Sequence, residues 1–122
     1  GWLTLYGYYR VLYGFSHREA LERVESDAVE LVVGELEKLV KHSPRRYVAV
    51  LWAVSLGLNK WGVIKHYVEG IVGYVPDSKF SKLLRNLVRY GFLEKTEGLE
   101  YRIVVPLLPV AVERLRRKYG VQ

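Results

Sequence analysis

Between Ser78 and Arg89 the chain reads SKFSKLLRNLVR, and every charged side chain in that stretch is positive. At about 100° per residue, Lys82, Arg85 and Arg89 fall on one side of a helix with Ser78, and Lys79 and Asn86 lie beside them. Cations at that spacing break no bonds. They bind anions, arginine through a planar fork and lysine as a point charge. Arg45, Arg46, Lys60 and Lys65 add four more near the starts of the two preceding apolar stretches. A repeated anion suits such an array. Double-stranded DNA is therefore the expected partner, with arginine reading guanine edges and lysine holding phosphates.

Other chemistry finds little support. The chain has no cysteine, which excludes a disulfide, a thiolate nucleophile and a cysteine metal site. His17, His42 and His66 form no i, i+4 pair and have no carboxylate cluster beside them, so no metal site is expected. Ser16, Ser43, Ser55, Ser78 and Ser81 occupy helix caps or helix positions, with no strand-to-helix elbow around them. No Gly-x-x-x-x-Gly-Lys-Ser/Thr phosphate loop occurs. A non-catalytic chain follows, without ATP or magnesium of its own.

The charge is unevenly placed. Residues 1–43 carry a net −2 and residues 44–122 a net +8, which points the second part toward a polyanion. Methionine is absent even at position 1, so the chain is expected to be a piece of a longer one. Cysteine and methionine are absent while charge is abundant, and this leans toward a thermophile. The longest nearly unbroken apolar run, Tyr47 to Leu58, is twelve residues, short of the ~20 needed to span a bilayer. The opening GWLTLYGYYR has no basic segment ahead of an apolar one, so no secretion signal is read and a cytoplasmic location is expected.

The elements follow from spacing. Ser16-His17-Arg18-Glu19 is a capping box opening a helix over roughly 17–41. Its stripe is read as Ala20, Leu21, Val24, Ala28, Leu31, Val32, Leu36, Leu39 and Val40. Ser43-Pro44 opens a second helix, apolar nearly all round and hence central. Asn59 caps a third, with Trp61, Ile64, Val68 and Ile71 inward. Tyr74-Val75 fits a one-bridge strand. The basic helix ends at Gly91, followed by two short strands around a Glu97-Gly98 turn. Tyr90 and Tyr101 are expected to pack helix against hairpin. Pro109 opens a last helix ending in a basic run.

Three helices and a hairpin in this order make a winged helix-turn-helix. The predicted fold is mainly α: a helical linker or lid over 1–43, then a winged-helix domain with a small two-stranded wing over 44–122.

LRNLVRYGFLEK, after a capped basic helix and before a wing, resembles the C-terminal winged helix of archaeal ATPases of the STAND branch of P-loop NTPases. Gly1, Trp2 and Leu3 resemble the end of the Gly-x-Pro…Gly-Trp-Leu segment that follows the nucleotide-binding domain in that family. The resemblance implies a module of an ATPase whose ATP and magnesium site lies in a preceding domain. It implies coupling of that domain to DNA or protein, so the alternative to DNA is a protein-interaction module that gates the ATPase or dimerises. Glu94, Glu97 and Glu100 on the wing depart from a DNA-contacting wing. Six aromatics in the first fifteen residues imply an interface, so Trp2, Tyr6, Tyr9 and Tyr13 are expected to dock on the ATPase domain or on a second copy.

Overall fold

An apolar stretch with no polar face must be covered on every side, and residues 47–54 are such a stretch. The computed structural model describes residues 17–121, with side chains over 26–121. Ser16 of the capping box and the aromatic cluster of Trp2, Tyr6, Tyr9 and Tyr13 lie outside the described residues, as do the side chains of His17, Arg18 and Glu19. The elements run α1 (His17–Val40), α2 (Pro44–Ser55), α3 (Trp61–Val72), α4 (Asp77–Arg89), β1 (Leu93–Lys95), β2 (Tyr101–Ile103) and α5 (Leu108–Lys118). Helix α2 is the axis. Val48, Ala49, Val50, Leu51 and Ala53 are wholly buried, and α1, α3, α4, α5 and β2 all pack against α2. The arrangement α2–α3–α4–β1–β2 is a winged helix-turn-helix, with α4 in the recognition position.

Helix α1 enters the same core, through Val29, Val33, Leu36 and Val40. That stripe differs from the expected one: Val29 and Val33 are buried, whereas Leu31 is 64% exposed. At 100° per residue Leu31 sits nearly opposite the line through Val29, Val33, Leu36 and Val40, which is the line α2 and α5 cover. The core is continuous across residue 43. Helix α5 closes it with Leu108, Ala111, Val112 and Leu115 and is joined to α1 by Arg114–Glu30 and Lys118–Glu37 ion pairs. Arg116 lies over the Trp52 ring, 4.5 Å from its centroid. The basic C-terminal run is therefore a brace on the acidic face of α1 and on α2.

The wing is a two-stranded antiparallel sheet with Leu93 opposite Ile103, Glu94 opposite Arg102 and Lys95 opposite Tyr101. The expected two-residue Glu97-Gly98 turn is absent. Thr96 N–H donates to Glu100 O at 2.8 Å and Leu99 N–H to Thr96 O at 2.9 Å, so the loop holds three residues and Leu99 takes a left-handed φ of 58°. The reason is facing. A two-residue turn would set Tyr101 beside Glu94 and Leu93 beside Arg102. One added residue brings buried Leu93 and Tyr101 to the same face and pairs Glu94 with Arg102 on the other.

Two further expectations are corrected. The isolated bridge is Lys60 with Glu100, not Tyr74-Val75, because Asn59 O accepts from Tyr101 N–H at 2.8 Å and lays this segment along the wing. Asn59 does not cap α3, since its amide donates to Glu100 Oε2 at 3.0 Å instead. Tyr101 is buried as expected, but Tyr90 is 61% exposed.

Gly98 does not supply the positive φ, which falls one residue later on a leucine. A non-glycine residue there costs about 1 kcal/mol or more. Leu99→Gly should therefore raise unfolding stability by about 0.5–1 kcal/mol, measured as a higher denaturant midpoint at unchanged slope. Gly98→Ala should not be destabilising, because its added Cβ meets only Thr96 Oγ1 at 3.8 Å.

Candidate nucleic-acid interface

Helix α4 is amphipathic by spacing: Phe80, Leu83, Leu84 and Leu87 are buried, and Ser78, Lys82, Arg85 and Arg89 are exposed on the other side. Thirteen residues make a ridge about 20 Å long. Its ends are set chemically. At the start, Lys65 of α3 bridges Asp77 at 3.3 Å and Glu69 at 3.0 Å. Glu69 Oε2 also accepts from the Val75 N–H at 2.9 Å, which holds the turn between α3 and α4. At the end, Gly91 adopts φ 83°. Phe92 N–H then reaches Leu87 O and Gly91 N–H reaches Val88 O, satisfying the last carbonyls and turning the chain into β1.

The flanks of α4 are also pinned. On one side Trp61 meets Phe80 edge-on at 5.3 Å and donates from Nε1 to Ser81 Oγ at 3.2 Å. On the other, Asn86 Nδ2 donates to Tyr47 Oη at 2.8 Å. Each flank borders a cleft. One, of about 380 Å³, lies toward the wing and is lined by Trp61, Ser81, Arg85, Val88, Lys95 and Tyr101. The other, of about 340 Å³, lies toward the start of α2 and takes in His42, Arg46, Lys79, Lys82 and Asn86.

The charges then sort into two populations. Of the sixteen Lys and Arg side chains described, Lys60, Lys65, Arg102, Arg114, Arg116, Arg117 and Lys118 are ion-paired. The other nine have no carboxylate partner among the described residues: Lys38, Lys41, Arg45, Arg46, Lys79, Lys82, Arg85, Arg89 and Lys95. They belong to α4 and to the segments beside its two flanks. The described acids without a cation partner among the described residues are Asp27 and Glu35 on α1 and Glu97 at the wing tip.

Set against the sequence, Lys82, Arg85 and Arg89 share the α4 ridge. Lys79, Asn86 and Arg46 meet in the α2-side cleft. Arg45 is exposed one residue away. Lys60 and Lys65 do not join them. Lys60 pairs with Glu100 at 3.1 Å, and Lys65, its side chain only 14% exposed, is held between Glu69 and Asp77. Asn86 is committed to Tyr47. The acidity of the wing is largely cancelled, because Glu94 is bound by Arg102 at 3.1 Å and Glu100 by Lys60. Sequence reasoning missed Lys38, Lys41, His42 and Lys95. The alternation Leu93-Glu94-Lys95 put Lys95 on the Leu93 face, but only the hairpin register brings that face to Arg85.

Residues 41–104 match the model of the MCM protein C-terminal winged helix-turn-helix domain, which is just over half of the chain. The chain belongs to this family. The match runs from the α1–α2 corner through β2 and stops short of α5. Among solved structures, the Walker-type ATPase PABY2304 of Pyrococcus abyssi is 31% identical with a TM-score of 0.72. The likeness covers 92% of this chain and 31% of that one, so it extends beyond the winged-helix domain into its flanking helices, and the chain spans about a third of that protein. No curated protein sequence matches.

Glu69 governs the turn that presents α4 and supplies a test. The Val75 N–H first, and then Lys65, hold its carboxyl below the usual carboxylate range. A lowered folded pKa gives stability that is complete above the unfolded value of about 4.3 and lost as pH falls through the lowered one. Glu69→Gln should lower the melting temperature at pH 7. The gap from wild type should shrink steadily below about pH 4, as followed by thermal denaturation over a pH series.

Proposed function

We propose that this chain is the DNA-binding winged-helix module of an archaeal ATPase, and that it docks double-stranded DNA by laying α4 in the major groove. The observation that carries the reading is the sorting of the cations. Every described Lys or Arg left without a carboxylate belongs to α4 or its flanks, while those elsewhere are neutralised within the fold. Unpaired cations on one surface can neutralise a polyanion's phosphates and release its condensed counterions into solution. The major groove, about 12 Å wide, admits one helix. Arg85 and Arg89 are the groove-facing pair, Lys82 and Lys79 the phosphate contacts on α4, and Arg45 and Arg46 the contacts from α2. Lys95 joins them from the wing.

The ATP and magnesium belong, in this reading, to a nucleotide-binding domain of the whole protein, a reading supported by the name of the similar Pyrococcus chain, a Walker-type ATPase. The winged-helix module supplies the contact with DNA and no catalysis, and acts in the cytoplasm of a thermophile.

Each cation removed from this surface should lower the salt slope of binding, by up to about one unit where it neutralises a full phosphate. Arg85→Ala and Arg89→Ala should weaken duplex binding and flatten its salt dependence. Glu97→Lys, at the one wing glutamate without a partner among the described residues, should strengthen it. Fluorescence anisotropy of a labelled duplex over a salt series measures all three. Wild type without salt-dependent binding, or ridge variants that bind as wild type, would replace this reading with a protein-interaction module.

A further inference from the structure

The α2-side flank of α4 is longer than a groove-docking ridge needs. The 340 Å³ cleft continues into a second of about 310 Å³, and the two share His42, Tyr47 and Asn86. Together they form a trough beside α4 from Lys79, in its first turn, to Tyr90, just past its end. The wall across from α4 is the α1–α2 corner.

We propose that this trough is a track for single-stranded nucleic acid, running beside the duplex-facing ridge and sharing Arg46, Lys79 and Lys82 with it but not Lys38, Lys41 or Tyr90. Its floor is the hydrogen-bonded Tyr47–Asn86 pair, whose side chains are fixed before any ligand arrives. Its cations, Lys38, Lys41, Arg46, Lys79 and Lys82, stand on both walls and have no carboxylate partner among the described residues. No Asp or Glu lines either cleft. A trough charged on both walls follows a phosphodiester backbone along its length.

Tyr90 decides between one strand and two. Its ring is 61% exposed at the end of the trough, although its neighbours Phe92 and Leu87 are buried. A ring in that position adds nothing to backbone contacts with a duplex, whose bases already stack on one another. An unpaired base has a free face and stacks on it, independent of sequence. The trough therefore takes an unpaired strand, with phosphates between the two walls and a base on Tyr90.

The test is anisotropy at low salt, with a short labelled oligothymidylate and a labelled duplex run in parallel. Tyr90→Ala should weaken oligothymidylate binding about ten-fold or more and leave duplex binding within about two-fold. Tyr90→Phe, which keeps the ring, should bind as wild type. Lys41→Ala should weaken oligothymidylate binding and lower its salt slope by about 0.7. Arg85→Ala serves as the contrast and should act on the duplex. Tyr90 is exposed, so its variants should keep the wild-type melting temperature, and a drop would overturn its assignment to a free surface. Wild type that ignores oligothymidylate, or a Tyr90→Ala that binds it unchanged, overturns the proposal whatever the duplex result. Equal losses for both ligands in Tyr90→Ala would reduce the two surfaces to one and overturn it as well.

Discussion

Everything in this fold answers to one helix without a polar face. Helix α2 leaves five side chains wholly out of water, and burying each of its larger ones contributes on the order of 1.5–3 kcal/mol. Only a full ring of neighbours recovers that energy. The winged helix alone supplies α3, α4 and the hairpin strand β2. The remaining side is closed by α1 and α5, which lie wholly outside the family match and are clamped to one another by ion pairs. The likeness to the Pyrococcus protein reaches into these flanking helices. The likeness is thus not confined to the residues of the family match.

Packing around α2 also decides where charge goes. Helices α1 and α5 meet with their outer faces adjacent, so acids of one and bases of the other neutralise each other. The wing does the same internally through Glu94 and Arg102, and against the start of α3 through Glu100 and Lys60. Surface pairs of this kind contribute little stability each, about 0–1 kcal/mol. Their consequence is electrostatic. They remove the second population of cations from the surface field and leave the α4 sector as the positive region. An isolated Lys65 at the α3–α4 turn would have added to that field, but it is held by two carboxylates and serves the geometry of the turn instead.

Helix α4 is consequently held at several points along its length. It is gripped at its start by Asp77 and Lys65, at its middle by Trp61 and Tyr47, and at its end by the Gly91 turn. A helix presented this way keeps its exposed side chains at fixed spacing, which is the condition for reading a periodic polymer. The two clefts beside it differ in lining. One is walled by Trp61, Tyr101 and the wing; the other is walled by cations and ends at an open tyrosine.

Much of this was legible without coordinates. Helical periodicity gives the order of elements, the all-round apolarity of α2, the two faces of α4 and the stop at Gly91, because each depends on residues within a few positions of one another. Lys82, Arg85 and Arg89 share a ridge for the same reason. What only the tertiary structure decided is long-range. The three-residue wing loop follows from which face of β2 the core demands, and neither Glu97 nor Gly98 announces it. Lys60 and Lys65 read as phosphate contacts until Glu100, forty residues on, and Asp77, twelve residues on, are brought against them. Lys38, Lys41 and His42 read as a helix end until the α1–α2 corner closes beside α4. Local spacing determines which side of a helix a charge occupies, whereas the crossing of distant segments determines whether that charge is already spent.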